Sequence, residues 1–329
     1  MQRAAVIVLA LACACARPSP RADTHSAAAE TASSEPDLSQ GSAQFDRSIA
    51  PGLEVVRVKT GHLLVRPIVN GHEAGWFIFD TGAGICVVST PHLGPLGLEP
   101  AGDIQARGIG GGANAQLFRA ETLSLGPVTL RNHPLMSTDL SFLKQFLGEE
   151  IAGIIGYGVL SRCVAEIDLS APAVTLHDPE DYRLAAGAWL PIDLDDRIPA
   201  LHGRFEDHEG LFHVDTGSNA AITFSENAVR KWRLLEGRDA VESKLGGVGG
   251  FTAVRKGRVE WFEVGGLRQE DVEATFPTEA KGTLGGERID GSLGAGLLRP
   301  YVVITDYPQS RMAFRERPNA AVPAGAGTK

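Results

Sequence analysis

Short apolar runs punctuated by glycine and polar residues dominate this chain, and two of them end in a carboxylate: "GWFIFDTGAGICVVST" and "GLFHVDTGSNAAITFS". Runs of this length, bounded by Gly, Asn and Asp, predict β-strands. Helical periodicity is scarce. In "SENAVRKWRLLEG", Ser225 is placed to cap a helix whose apolar face is Ala228, Val229, Trp232 and Leu235. "TPHLGPLGL", with Pro91 in a first-turn position, predicts a shorter counterpart, and "TDLSFLKQFLGEE" another short helix.

Superposing the two Asp-Thr-Gly tripeptides brings the rest of each half into register. Upstream, "HLLVRPIVNGHEAGWFIFDTG" parallels "IPALHGRFEDHEGLFHVDTG", in each case two β-like runs around a polar turn. Downstream, glycine-rich turns begin at Gly108 and Gly246, 28 and 31 residues past the aspartates. "IAGIIGYGVLSR" and "IDGSLGAGLLRP" follow, with Gly153 and Gly291 at 73 and 76 residues past them. Each half closes on a further pair of strand-like runs. Five landmarks kept in order mark an internal duplication. Two long copies predict two lobes rather than a solenoid. The expected fold is therefore all-β and bilobal, two β-rich lobes with a few short helices. Its divisions are a leader at 1–16, a disordered linker at 17–50, lobes at 51–187 and 188–316, and a disordered tail at 317–329.

Composition narrows the function. A net charge of −9 over 329 residues offers no electrostatic footprint for nucleic acid. "MQRAAVIVLALACACARPSP" has the layout of a secretory leader and is too short to span a bilayer, so the mature protein is expected to be exported, to a periplasmic or extracellular space. Cleavage at an A-x-A site such as Ala12-Cys13-Ala14 and lipidation of Cys13 or Cys15 are both open, and the latter is the one expected membrane attachment. Cys86 and Cys163 are free to pair or to remain buried thiols. The histidines lack metal-binding spacing, "GIGGGA" lacks the strand and helix of a dinucleotide fingerprint, and no G-x-S-x-G elbow is present. No metal and no cofactor is expected.

Asp80 and Asp215 sit in apolar surroundings, where an unpaired charge is costly. One reading is that each caps its own turn. The other is that approximate two-fold symmetry brings them together, so that the pair shares one proton. Such a pair can take a proton from an attacking water while protonating a carbonyl oxygen.

The Asp-Thr-Gly-Ala and Asp-Thr-Gly-Ser motifs, each followed by "GIIG" or "GSLG", resemble those of the aspartic proteases of the pepsin and retroviral (retropepsin) type, and bacterial exported proteins with retropepsin-like domains most of all. The resemblance runs from about Leu53 to Arg315. It implies that Asp80 and Asp215 are the catalytic dyad of an aspartic endopeptidase. Thr81 and Thr216 would brace the loops across the axis, and Gly82 and Gly217 would permit the tight turns. It further implies flaps at Gly108, Ile109, Gly110 and Gly111 and at Gly246, Gly247, Val248 and Gly249, neither with the tyrosine usual in the pepsin flap. Ala83 and Ser218 occupy the position after each tripeptide. A Ser218 hydroxyl donating to Asp215 would place the negative charge there and the shared proton on Asp80. His213, two residues before Asp215, is expected on the same strand face. The expected partner is a peptide or protein substrate, bound by a monomer that is an internal pseudo-dimer. A peptide-binding module that keeps the fold without chemistry is the alternative.

Overall fold

The computed structural model describes residues 7–9, 14–15 and 41–317. The expected strands form because alternate residues find two different apolar environments. Along Trp76–Phe79, Phe77 and Phe79 join the main core while Ile78 joins a second cluster on the opposite sheet face. Along His208–Val214, Phe212 and Val214 enter the main core and His213 turns away from it.

Each lobe is built on one sheet, and the two sheets have the same strand order. In the first lobe the order is Glu99–Gly108, Gly111–Leu125, Val128–Thr138, Val87–Ser89, Ile151–Ile155, Trp76–Phe79, Leu63–Val65 and Val56–Arg57. In the second it is Val241–Gly247, Gly250–Val264, Leu267–Pro277, Ile222–Phe224, Gly291–Leu293, His208–Val214, Ile198–Phe205 and Asp193–Asp195. In both, the strand leading to Asp-Thr-Gly lies parallel to the strand of the second glycine motif: Ile154 faces Ile78, and Ser292 faces His213. A third sheet unites the lobes, with Val164–Asp168 of the first paired to Tyr301–Asp306 of the second. The fold is the bilobal all-β one that the duplication predicts.

The helix expected after Ser225 runs over Glu226–Lys231, and the Ser225 hydroxyl accepts from the Ala228 amide at 3.1 Å. It is shorter than its apolar spacing implies, because Arg233 takes a left-handed φ of 53° and turns the chain before Leu235. The other two expected helices are present and short: 3-10 helices at Thr90–His92 and Gly94–Leu96, and a 3-10 helix at Ser141–Leu143 leading into an α-helix at Lys144–Leu147.

The linker expected at 17–50 is overturned at its end. Ser42–Phe45 is a strand paired with Val128–Arg131, and Ala43 and Phe45 pack against the core. Two alternate apolar residues beside a free strand edge are enough to order a segment of otherwise polar composition. Residues 17–40 and 318–329 lie outside the described residues, while Arg317 pairs with Asp168 at 3.1 Å. Within the segment 1–16, Ile7–Leu9 lies parallel to Lys244–Gly246, and Ala14–Cys15 antiparallel to Ala106–Arg107.

Candidate active site

The two Asp-Thr-Gly loops leave their strands at equivalent points. The Asp80 amide donates to the Ile155 carbonyl and the Asp215 amide to the Leu293 carbonyl, both at 2.9 Å. The glycines just beyond let the chain close on each loop. A Cβ on Gly156 would sit 2.3 Å from the Ala83 carbonyl oxygen, and one on Gly294 2.5 Å from that of Ala220. The following amides then bond back, Tyr157 to the Ala83 carbonyl at 2.8 Å and Ala295 to that of Ser218 at 2.7 Å.

The loops meet across the lobe boundary. A Cβ on Gly82 would lie 2.6 Å from Cγ of Asp215, and one on Gly217 2.3 Å from Cγ of Asp80, so each turn has room only for a glycine against the opposite carboxyl. The threonines interlock: the Thr81 amide donates to Thr216 Oγ1 at 3.1 Å and the Thr216 amide to Thr81 Oγ1 at 3.0 Å. Their hydroxyls donate to the opposite strands, Thr81 to the Val214 carbonyl at 2.6 Å and Thr216 to that of Phe79 at 3.2 Å. Asp80 and Asp215 are thus held together, both fully buried.

Their hydrogen bonding is unequal, in the sense opposite to that expected from Ser218. Oδ1 of Asp80 accepts from the Gly82 amide at 2.7 Å and from the Gly217 amide at 3.2 Å. Neither oxygen of Asp215 has a donor at full hydrogen-bonding geometry, and the nearby Gly217 and Ser218 amides lower its carboxyl less than burial and the Asp80 charge raise it. The Ser218 hydroxyl is turned away, accepting from the Ala220 amide at 3.4 Å. Burial raises both carboxyls above the ordinary carboxylate range, and Asp215, which also faces the Asp80 charge, goes the further. Asp80 is therefore the better seat for the negative charge and Asp215 for the proton.

Two neighbours of the loops carry no motif in the sequence. His62 is buried, and since a carbonyl only accepts, its Nε2–H donates to the Gly217 carbonyl at 3.0 Å. Its Nδ1 lies 2.7 Å from the Thr60 hydroxyl. Burial, with the Arg299 charge adding to it, lowers the imidazole to about 4. The Tyr307 hydroxyl donates to the Thr81 carbonyl at 3.4 Å from the sheet shared by the lobes. Neither contact is visible in sequence, because His62 and Tyr307 lie 155 and 226 positions from their partners.

Gly108, Ile109, Gly110 and Gly111 form the tip of one hairpin, and Gly246, Gly247, Val248 and Gly249 that of its counterpart. The tips touch: the Gly110 amide donates to the Val248 carbonyl at 2.9 Å, and a Cβ on Gly110 would lie 1.9 Å from the Gly249 carbonyl carbon. His213 shares the strand face of Asp215 as expected, and its Nε2 lies 3.3 Å from Asp195, which Arg288 also holds at 2.7 Å. Cys86 and Cys163 are buried free thiols. Among the described residues no cluster of three or more His, Cys, Asp or Glu could hold a metal ion.

No curated protein matches the chain. Among solved structures it resembles the aspartic proteinase from Irpex lacteus, with a TM-score of 0.50 at 11% identity, over 83% of this chain and 99% of that one. At that identity the likeness speaks for the fold. A family model described as aspartyl protease matches twice, over residues 65–159 and 201–297, once in each lobe. Two matches in tandem, together more than half of the chain, place this protein in the aspartyl protease family.

Proposed function

We propose that the protein is an aspartic endopeptidase, in which Asp80 and Asp215 hydrolyse a peptide bond lying between the lobes and the flaps. The observation that carries this reading is the unequal pair itself. A carboxylate that accepts from two amides stands beside a carboxyl group that no amide reaches at full hydrogen-bonding geometry, both buried where neither would be kept for stability. In the first step the Asp80 carboxylate takes a proton from water as the water oxygen bonds to the peptide carbon, while Asp215 gives its proton to the carbonyl oxygen. In the second, the C–N bond breaks, Asp80 passes its proton to the leaving nitrogen, and Asp215 recovers one from a hydroxyl of the tetrahedral intermediate. The threonine interlock holds both groups in place throughout. The flap strands offer backbone to an extended chain, as the pairing of Ile7–Leu9 and Ala14–Cys15 along them illustrates.

The test is cleavage of a fluorogenic peptide library, with Asp80→Asn and Asp215→Asn as controls. Cleavage by the wild type that both variants lose is the expected result; cleavage surviving in either would remove the dyad from the reaction. As part of the same reading we propose export and a single-chain site. Lipid label incorporated at Cys13 or Cys15 and lost on mutation supports an anchor, and a lipid-free mature chain refutes it.

A further inference from the structure

The two lobes share strand order and register, which allows the sheet faces beside the dyad to be compared position by position. In the first lobe one row of directly paired residues reads Leu64, Ile78, Ile154, Val87 and Met136. The equivalent row of the second lobe reads Ala200, His213, Ser292, Thr223 and Thr275. Both rows lie on the face turned away from the main core, since their strand neighbours Phe77, Phe79, Val88 and Ile155, and Phe212, Val214, Phe224 and Leu293, fill that core. The first face anchors a large apolar cluster, whereas its counterpart in the second lobe shrinks to Ile109, Ala220, Leu245, Val254 and Leu284.

Each flap tip brings one side chain to the face of the opposite lobe. Val248, from the second lobe's flap, packs in the apolar cluster of the first lobe. Ile109, from the first lobe's flap, enters a cavity of the second that it lines with His213, Asp215, Thr283 and Ser292. The cavity wall carries hydrogen-bonding capacity with nothing to use it. Oγ1 of Thr283, in that wall, has no partner, and neither has Oγ1 of Thr223, wholly buried behind it beside Ser292 in the row. His213 in the same wall is already engaged, its Nε2 lying 3.3 Å from Asp195. An isoleucine tip offers the Thr283 hydroxyl no partner; a polar side chain in its place would.

We propose that the two pockets select side chains of opposite polarity. The peptide would set a large apolar residue against the Asp80 lobe and an uncharged hydrogen-bonding residue, Asn, Gln, Ser or Thr, against the Asp215 lobe. Adjacent residues of an extended strand point to opposite sides, so the two would flank the scissile bond. An acidic residue is disfavoured because the dyad already carries negative charge nearby. A basic one is disfavoured because Asp195, the carboxylate within reach, is held by His213 and Arg288. This inference rests on the endopeptidase reading for the position of the bond, but the pocket chemistry can be measured without cleavage.

Two measurements test it. In the first, the Asp80→Asn protein is titrated with peptides that differ only at one of the two central residues, Leu-Asn and Asn-Leu against Leu-Leu. One of the mixed peptides should bind about tenfold tighter than Leu-Leu; equal affinity for all three overturns the proposal, whether or not the wild type cleaves. In the second, cut sites of the wild type are read by mass spectrometry and compared with those of Ser292→Val and of a His213→Ile, Ser292→Ile, Thr223→Val triple variant, which copies the first lobe's row. The expected result is apolar–polar cut sites in the wild type and a shift of about tenfold in the kcat/KM ratio towards apolar–apolar peptides in the variants. The small Ser292→Val change keeps the test decisive if the triple variant does not fold. Apolar residues on both sides in the wild type, or an unchanged ratio in a folded variant, overturns it. Absence of any cleavage alongside the expected binding preference counts against the endopeptidase reading and for the pockets.

Discussion

The buried groups around the loops make opposing demands on stability as pH changes, and single substitutions should separate them. Asp80 is raised by burial from 3.8 to about 6, so the folded state keeps a proton that the unfolded chain has released. Its contribution is fully present below 3.8 and is lost as pH rises to about 6, a swing of about 3 kcal/mol at 1.36 kcal/mol per pK unit. His62 is lowered by burial from 6.5 to about 4, so the folded state refuses a proton that the unfolded chain accepts. Its contribution is present above 6.5 and is lost as pH falls to about 4, again about 3 kcal/mol. Asn at position 80 still accepts from the Gly82 and Gly217 amides, and Gln at position 62 retains a donor for the Gly217 carbonyl. Urea unfolding between pH 4 and 7 should therefore show Asp80→Asn gaining about 3 kcal/mol on the wild type as pH rises, at the cost of any activity. His62→Gln should gain a similar amount as pH falls. Curves for both variants that run parallel to the wild type across this range would refute the assignment of these shifts to Asp80 and His62.

Thr81→Val preserves shape but leaves the Thr216 amide and the Val214 carbonyl unpaired in the interior, a loss of about 2–5 kcal/mol in denaturant unfolding that Thr81→Ser should largely restore. Ser218→Ala should leave the acidic limb of the kcat/KM profile where it is, since the hydroxyl bonds to the Ala220 amide; a limb moved by a full pH unit would show that Ser218 reaches a carboxyl. Gly110→Ala places a Cβ against the Gly249 carbonyl carbon and forces the flap tips apart, so KM should rise several-fold with little change in melting temperature, and an unchanged KM would remove the tips from substrate binding. Mixing Asp80→Asn with Asp215→Asn protein should restore no activity, because both loops of one site belong to one chain; recovery to near wild type would mean that lobes pair between chains.

Much of this was legible in the sequence because it is written in local pattern and repetition. The strands show as short apolar runs, the helix as Ser225 followed by apolar spacing, and the bilobal fold as one set of landmarks appearing twice. The threonine interlock follows from the same repetition, since symmetry brings equivalent loops face to face. What stayed hidden depends on rotamers and on long-range pairing. Nothing beside His62 announces the Gly217 carbonyl, and the strand at Ser42–Phe45 exists because Val128–Arg131 offers it an edge. Ser218 misleads for a local reason: the Ala220 amide, two residues on, donates to its hydroxyl.

The same limit explains why the difference between the lobes is harder to see than their likeness. Motif comparison aligns what is equal, such as Asp-Thr-Gly and the later glycines, and does not set Ser292 and Thr223 beside His213. Only register puts them side by side, opposite Ile78, Ile154 and Val87 of the other lobe. A duplicated fold needs its repeated residues where the two copies meet, because the loops, threonines and glycines there must fit each other. One layer away, each copy faces substrate instead of its twin, and the constraint of symmetry lapses. Polar groups can then collect in one lobe without disturbing the interlock. For that reason the residues that set selectivity in this chain are to be sought where the halves differ, and those that perform the chemistry where they agree.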